Sequence, residues 1–327
     1  MQAWTIIVDS FREARDKKLF WVLLALSTVI ALALACVGFD QNGWSLFFGL
    51  LKIESPVYRA GTPQAQQMLA SIVSNVLVAM YIGWFGVIVC LLGTAGFFPT
   101  MLEGGAIEVV LSKPMSRLEL FLAKYAGSLL FVLVQAAWFV GLTFLIIRIQ
   151  LGVWLWPYLL AIPLLVALFS YLYCVCVLAA VWSRSALTAL LVTMVFWFLV
   201  YSAGKIEEVY AMLEYNRARE AGIVEVDLSW EHRNALGKTA YVLNAVLPRT
   251  SDIPVILGHE IQAMSADELV LQAFQLEGQL KPQDHFNIEQ EKKRLARISP
   301  LRSIGSSLAF EAVILLIAWW RFARKDF

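Results

Sequence analysis

Charge is what this sequence has least of. Only 16% of its 327 residues are Asp, Glu, Lys or Arg, against roughly 25% in soluble globular domains. Acids and bases nearly cancel, leaving a net charge of +1. A total this close to zero says nothing about nucleic acid, and no nucleic-acid partner is expected. Cysteine is scarce too: Cys36, Cys90, Cys174 and Cys176 are the full set, and all lie in apolar runs. Cys174 and Cys176 stand two apart, so on a helix they point to nearly opposite faces. They form neither a metal clip nor a disulfide and read as small apolar packing residues.

The three histidines have no metal-ligand spacing. A zinc-protease helix opening at His259-Glu260 needs a second histidine at 263, where Ala263 stands. Gly237-Lys238-Thr239 resembles the end of a phosphate-binding loop. Its first glycine belongs at 232, which is His232, and no strand precedes it. No metal, cofactor or catalytic constellation is expected.

What the chain has in abundance is hydrocarbon. The sequence is 60% hydrophobic, and the excess gathers into runs of about 20 residues, the length that spans ~30 Å of bilayer. The runs are continuous rather than alternating, so the spanning elements are helices. Six spans are expected: 19–37, 72–96, a third from the capped start at Ser116 to about Ile147, 153–181, 186–203 and 301–320. The fold class is an all-α integral membrane protein. Pro157 and Pro163 fit a first helical turn or a kink. The first run begins near Leu19 with no small-residue cleavage site after it, so a cleaved signal peptide is not expected.

The polar segments complete the layout. In residues 2–17, Trp4, Ile7, Val8 and Phe11 form an apolar stripe at helical spacing. This reads as an amphipathic interfacial helix, or else as an extension of the first span. Residues 38–67 read as a loop with short ordered pieces. Residues 204–300 have ordinary soluble composition and a mostly helical pattern, with a Ser265–Glu268 capping box and a charged helix at 289–297. The domains are therefore 1–203, holding the first five spans, an intervening domain 204–300, and 301–327 with the last span and tail.

Basic residues set the orientation. Arg12, Arg15, Lys17, Lys18, Lys113, Arg117, Arg184, Arg321, Arg324 and Lys325 fall on one side, and Lys52, Arg59 and Arg148 on the other. Both termini are expected in the cytoplasm and residues 204–300 outside it, in a multi-pass protein of the cell (inner) membrane.

Between the second and third spans lies a polar island, Gly93 to Lys124. It holds Glu103, Glu108, Lys113, Arg117, Glu119 and Lys124. An ionised side chain at a helix centre costs about 2.5–3.5 kcal/mol even on the gentlest insertion scale, so the island sits in water or at the headgroups. Flexible Gly104-Gly105, a short apolar run, Lys113-Pro114 and the Ser116-x-x-Glu119 capping box describe a short helix held along the membrane between two turns.

The run from Glu103 through Leu111-Ser112-Lys113-Pro114-Met115-Ser116-Arg117 to Lys124 resembles the signature of ABC-2 type transporter permeases. It is nearest to those grouped with multicopper-enzyme maturation, with Ala106 where a threonine is usual. The resemblance implies that residues 97–115 act as a cytoplasmic coupling helix and that a separate ATP-binding subunit docks there through Glu103, Glu108, Lys113 and Arg117. It further implies an exporter of unidentified substrate, with a second permease copy or related chain and membrane lipids around it, and no ATP hydrolysis on this chain. The rival reading is a non-transport membrane protein whose 204–300 domain binds or presents a partner.

Glu311 is the most unusual intramembrane residue. It lies about 15 Å before Arg321 on a helical rise, near the middle of the bilayer. A carboxyl there should face the bundle interior with a partner. Gln135 and Asn75 are candidate neighbours, and Arg148 is a weaker one. A translocation-path or subunit-contact role and a structural hydrogen bond both stay open. Gly83, Gly86 and Ser306-Ser307 are candidate close-packing positions. Residues 244–258 read either as a re-entrant segment at the outer mouth or as part of the outer domain's surface.

Overall fold

A computed structural model describes residues 18–40, 43–46, 50–54, 72–102, 116–151, 154–220, 234–258, 260–261 and 300–324. The amphipathic helix expected at 2–17, the core of the island at 103–115, the second capping box and the helix at 289–297 lie outside the described residues. Among the described residues the protein is overwhelmingly helical. Five helical stretches are long and apolar enough to cross a membrane: Val76–Leu102, Arg117–Gln150, Trp156–Ser183, Ala186–Glu214 and Pro300–Ala323. A sixth apolar helix, Phe20–Ala35, is shorter than these.

The elements follow in chain order. Helix α1 (Lys18–Ala35) leads into strands β1 (Val37–Asp40), β2 (Gly43–Leu46) and β3 (Leu51–Glu54). A π-helical stretch, Val73–Phe85, passes directly into α2 (Gly86–Thr94), and α3 (Phe97–Leu102) enters the island. Beyond it come α4 (Arg117–Leu151), a 3-10 turn at Trp156–Leu160 and α5 (Ala161–Ser183). They are followed by α6 (Ala186–Glu220), α7 (Ala235–Val246) and α8 (Pro300–Ala323). Pro157 sits in the first turn of the 3-10 segment, where its missing N–H costs nothing. Helix α6 runs unbroken past Ala203, so no chain break marks the start of the expected outer domain.

The sheet is the departure from an all-helical layout. Three antiparallel strands of four residues pair in the order β1-β2-β3, with Asp40 opposite Gly43 and Leu46 opposite Leu51. Strands this short carry too few residues for a period-2 pattern. The local signal is the Asn42-Gly43 dipeptide, a hairpin former, and Gly43 takes a φ of 154°.

The chain clusters into two compact units. In the first, α1, the π-helix with α2, and α4 pack through aromatic rings and one chain of hydroxyls. Tyr81 stacks on Phe139 with ring centroids 3.5 Å apart, and Phe131 meets Phe20 edge-on at 5.5 Å. The Tyr81 hydroxyl and Ser27 Oγ share a hydrogen bond of 2.6 Å, and the Gln135 amide donates to Ser27 at 2.9 Å. Trp138 donates to Thr28 at 3.0 Å. At the end of α4, Gln150 donates to the Leu34 carbonyl at 3.0 Å and to that of Val37, tying the helix to the start of the sheet. Each bond joins two different elements, because hydrocarbon offers a buried polar group no other partner.

In the second unit, α5 and α6 meet at a turn of two residues, Arg184-Ser185. Arg184 closes it at φ 53°, a left-handed conformation a non-glycine residue adopts at a cost of roughly 1 kcal/mol. Helix α7 packs antiparallel along the outer part of α6, and α8 lies against both α5 and the α7 turn, as the bonds below define. Hydroxyls inside the spans also turn back on their own helix: Thr193 donates to the Ala189 carbonyl at 2.7 Å and Ser202 to that of Phe198 at 2.7 Å.

Gly93 is required by packing in the first unit. A Cβ there would lie 2.9 Å from the Phe131 ring and 3.0 Å from Leu23. Gly141 has open space in the same test. Gly93→Ala is expected to lose about 1–3 kcal/mol through overpacking, while Gly141→Ala, in the interior of α4, is neutral or gains up to ~1 kcal/mol. Thermal unfolding of the two variants in detergent checks the contrast. Equal shifts would remove the packing account.

Candidate functional site

Three groups of residues lie where the sequence places function: the rim of the island, the carboxyl of Glu311, and the turn after α7.

The island's rim is built first by a helix start. The Glu119 backbone N–H donates to Ser116 Oγ at 3.2 Å, and the Ser116 N–H donates to the Glu119 carboxylate at 3.0 Å. This is the reciprocal capping box the sequence predicts. It satisfies N–H groups that the first turn of α4 leaves without helical acceptors. Arg117 stands exposed on that first turn. Its charge opposes the positive end of the helix dipole, whereas Glu119 complements it. One turn further on, the Lys124 ammonium lies 6.0 Å from the Phe97 ring centroid. Phe97 in turn meets Phe131 edge-on at 6.0 Å. The last residues before the island and the first turns after it are thus clamped together. Of the docking residues named from sequence, Arg117 is placed; Glu103, Glu108 and Lys113 lie outside the described residues.

Glu311 is buried, at 8% exposure, on a helix that is otherwise largely open. Ser170 of α5 donates to its carboxyl at 2.9 Å. Tyr171 and Cys174, one and four residues on from Ser170, lie within electrostatic reach of the same carboxyl. The Tyr171 hydroxyl is itself buried without a hydrogen-bond partner. The bond partner is therefore Ser170, which the sequence reading did not name. Its signal was present as a serine in the middle of the run Ala167-Leu168-Phe169-Ser170-Tyr171. Gln135 spends its amide on Ser27, and the side chain of Asn75 is outside the described set. The Arg148 guanidinium stacks over Trp154 at 5.0 Å.

The turn after α7 is the most densely bonded polar feature among the described residues. Asn234 caps α7, accepting from the Gly237 N–H at 3.0 Å, and its own N–H reaches the Tyr210 hydroxyl at 3.4 Å. From there α7 runs back along α6, until Ser251 stands where a side chain on Gly204 would be, 2.8 Å from a Cβ built there. At this tip the Arg249 backbone N–H donates to Ser307 at 3.0 Å, Ser307 donates to the Ser303 carbonyl at 2.8 Å, and Ser303 donates to the Asp252 carboxylate at 2.8 Å. Arg249 reaches the Asn244 carbonyl at 3.3 Å and lies 3.9 Å from Asp252. Ser303 and Ser307 are fully buried. Ser307, expected from sequence as a close-packing residue, holds this turn onto α8. On its other side α7 exposes Val242, Leu243 and Val246. The bonds that seat this turn on α8, Arg249 N–H to Ser307 and Ser303 to Asp252, were not legible beforehand, because each joins residues more than fifty positions apart along the chain.

Comparison with known proteins places the chain in one family. Residues 4–327 match the family described as ABC-2 family transporter protein, so the chain belongs to it. No curated protein matches the chain.

A double-mutant cycle on Ser170→Ala and Glu311→Gln tests whether the intramembrane bond couples α5 to α8. Unfolding in detergent should give a coupling energy of about 0.5–1.5 kcal/mol, in the range of other interhelical bonds. Strictly additive losses would mean the two groups do not interact.

Proposed function

As a member of the ABC-2 transporter family with several membrane-crossing helices, this chain is taken as a membrane component of a transport system, and we propose that it is the permease subunit of an ATP-driven exporter. ATP would be bound and hydrolysed on a separate subunit. That subunit would dock on the cytoplasmic island, with residues 97–115 as the coupling helix and Glu103, Glu108, Lys113 and Arg117 as its polar contacts. The observation that carries the reading is the family match over residues 4–327, nearly the whole chain. The rigid rim of the island supports it. A pull on the coupling segment passes directly into the Phe97 and Lys124 clamp and so into the spans on either side.

Six spans are proposed, with Phe20–Ala35 as the first. At 1.5 Å per residue its 16 residues reach about 24 Å, and the preceding Lys18 at the helix start extends to the headgroups. Both termini are read as cytoplasmic. Helix α7 and the turn after it, to Asp252, are read as a hairpin that is re-entrant from the outer face. Two features support this. Its tip meets α8 at Ser303 and Ser307, about 5–10 Å inside the helix start at Pro300. Its free side is apolar, and its charged pair at the tip is hydrogen-bonded, as a bilayer environment demands. Movement of α8 relative to this hairpin would open or seal the outer end of a path between two permease copies.

Affinity capture of the chain from its native membranes in mild detergent tests the assignment, with co-purifying proteins identified by mass spectrometry. An ATP-binding protein is expected with the wild type and is expected to be lost from Glu103→Arg combined with Arg117→Glu. Retention by the double variant would move the docking site elsewhere. Absence from the wild type, under conditions that hold a known complex of this class together, would remove the exporter reading.

A further inference from the structure

Arg148 stands in the last turn of α4, and Trp156 opens the 3-10 turn that leads into α5. The helical stretches on both sides are long and apolar enough to cross a membrane, so the turn between them lies at a membrane border.

Four side chains gather at that turn. Phe144, at 7% exposure, is the buried base. The Trp154 ring lies 5.3 Å from it and the Trp156 ring 5.8 Å, centroid to centroid. The two indoles are 5.7 Å apart and within 25° of parallel. The Arg148 guanidinium sits over Trp154 at 5.0 Å. Trp154 is 42% exposed and Trp156 61%, so the cluster is open on one side. Anchoring a span at the headgroups takes a single ring. Arg324, at the end of α8, rests on the one ring of Trp320. The Arg148 cluster is more than an anchor requires.

Its open side has one-sided chemistry. A guanidinium carries five N–H donors and no acceptor, and stacking on a ring leaves those donors in the plane, able to bond. Each indole adds one N–H donor and no acceptor. Among the described residues, Arg148 has no carboxylate within ion-pair reach, and no acceptor takes a hydrogen bond from Arg148, Trp154 or Trp156. The C-terminal end of the α4 dipole favours a cation at 148 but leaves its donors unused. The group that fits is acceptor-only and singly negative. A phosphodiester has both properties, and its paired oxygens match the guanidinium fork. At a membrane border the phosphodiester within reach belongs to a phospholipid. Exposed Leu145, one turn before Arg148 on α4, offers apolar surface to the acyl chain. The uncompensated charge also chooses between headgroups. A zwitterionic headgroup brings an ammonium beside the guanidinium with no carboxylate to receive it, whereas an anionic one with an uncharged alcohol does not.

We propose that Arg148, Trp154 and Trp156 form a binding site for the phosphodiester of an anionic phospholipid. The guanidinium takes the phosphate oxygens and the indoles supply further donors. The site works in either leaflet and is independent of whether the chain exports anything.

The test uses the full chain purified in mild detergent, washed free of lipid, and titrated with phosphatidylglycerol, with phosphatidylcholine of the same acyl chains, or with inorganic phosphate. Native mass spectrometry follows the retained lipid, and thermal unfolding follows the same titrations. The wild type is expected to hold a phosphatidylglycerol about tenfold more tightly than phosphatidylcholine. It is also expected to unfold at a higher temperature with that lipid bound, since a ligand of the folded state stabilises it. Arg148→Gln loses both effects. Arg148→Lys keeps the charge without the fork and loses part of them. Trp156→Ala removes an exposed ring, leaves the charge, and weakens retention several-fold. Arg324→Gln retains the lipid as the wild type does. Retention of phosphatidylglycerol by Arg148→Gln equal to that of the wild type overturns the site. If that variant does not fold, undiminished retention by both Arg148→Lys and Trp156→Ala overturns it instead. Equal retention of the two lipids by the wild type overturns the choice of an anionic headgroup. Stabilisation by inorganic phosphate with none by phosphatidylglycerol assigns a soluble anion and overturns the lipid.

Discussion

Everything in this protein depends on the refusal of hydrocarbon to hydrogen-bond. A hydroxyl or amide placed in the bilayer must find its partner inside the protein, and the spans are assembled around the few places where that happens. Many serines and threonines bond to the carbonyl one turn back, as Thr94 does to Cys90 and Thr143 to Phe139, each at 2.8 Å. Those with a neighbour join two elements. Ser27 joins α1 to Tyr81 and Gln135, Thr143 meets Tyr158 at 2.8 Å, and Ser170 meets Glu311. In a medium where apolar contact carries no preference for protein over lipid, such bonds and close ring packing decide which faces meet.

The same constraint explains the span ends. Basic side chains there rest on aromatic rings: Arg148 on Trp154, Lys205 on Tyr201, and Arg324 on Trp320 at 4.3 Å. Pairs of this kind favour a membrane border, where the ring can stay among the headgroups while the cation meets water. A helix pinned at its ends responds to force by tilting or turning rather than by shifting in depth.

Much of this was legible in the sequence because hydropathy and capping are local. The apolar helices, the two-residue turn at Arg184-Ser185 and the Ser116–Glu119 box each arise from residues within a few positions of one another. So did the expectation that Glu311 is buried, which follows from the cost of a mid-membrane carboxyl alone. The three-stranded sheet was not legible, because strands of four residues carry almost no periodic signal. Nor was the length of α6, whose charged residues past Lys205 read as the beginning of a soluble domain although the backbone stays helical to Glu220.

By itself the sequence determined that the chain is built of apolar helices long enough to cross a membrane, and it pointed to the family to which the chain belongs. These are consequences of transfer free energy and short-range capping, and both are written in consecutive residues. Only the tertiary structure decided the partners. It gave Glu311 a bond from Ser170, made Ser303 and Ser307 the seat of the α7 turn, and left one face of α6 open. Each of those choices depends on how helices far apart in the chain are rotated about their axes, and no local pattern of apolar and polar residues encodes that rotation when nearly every position is apolar.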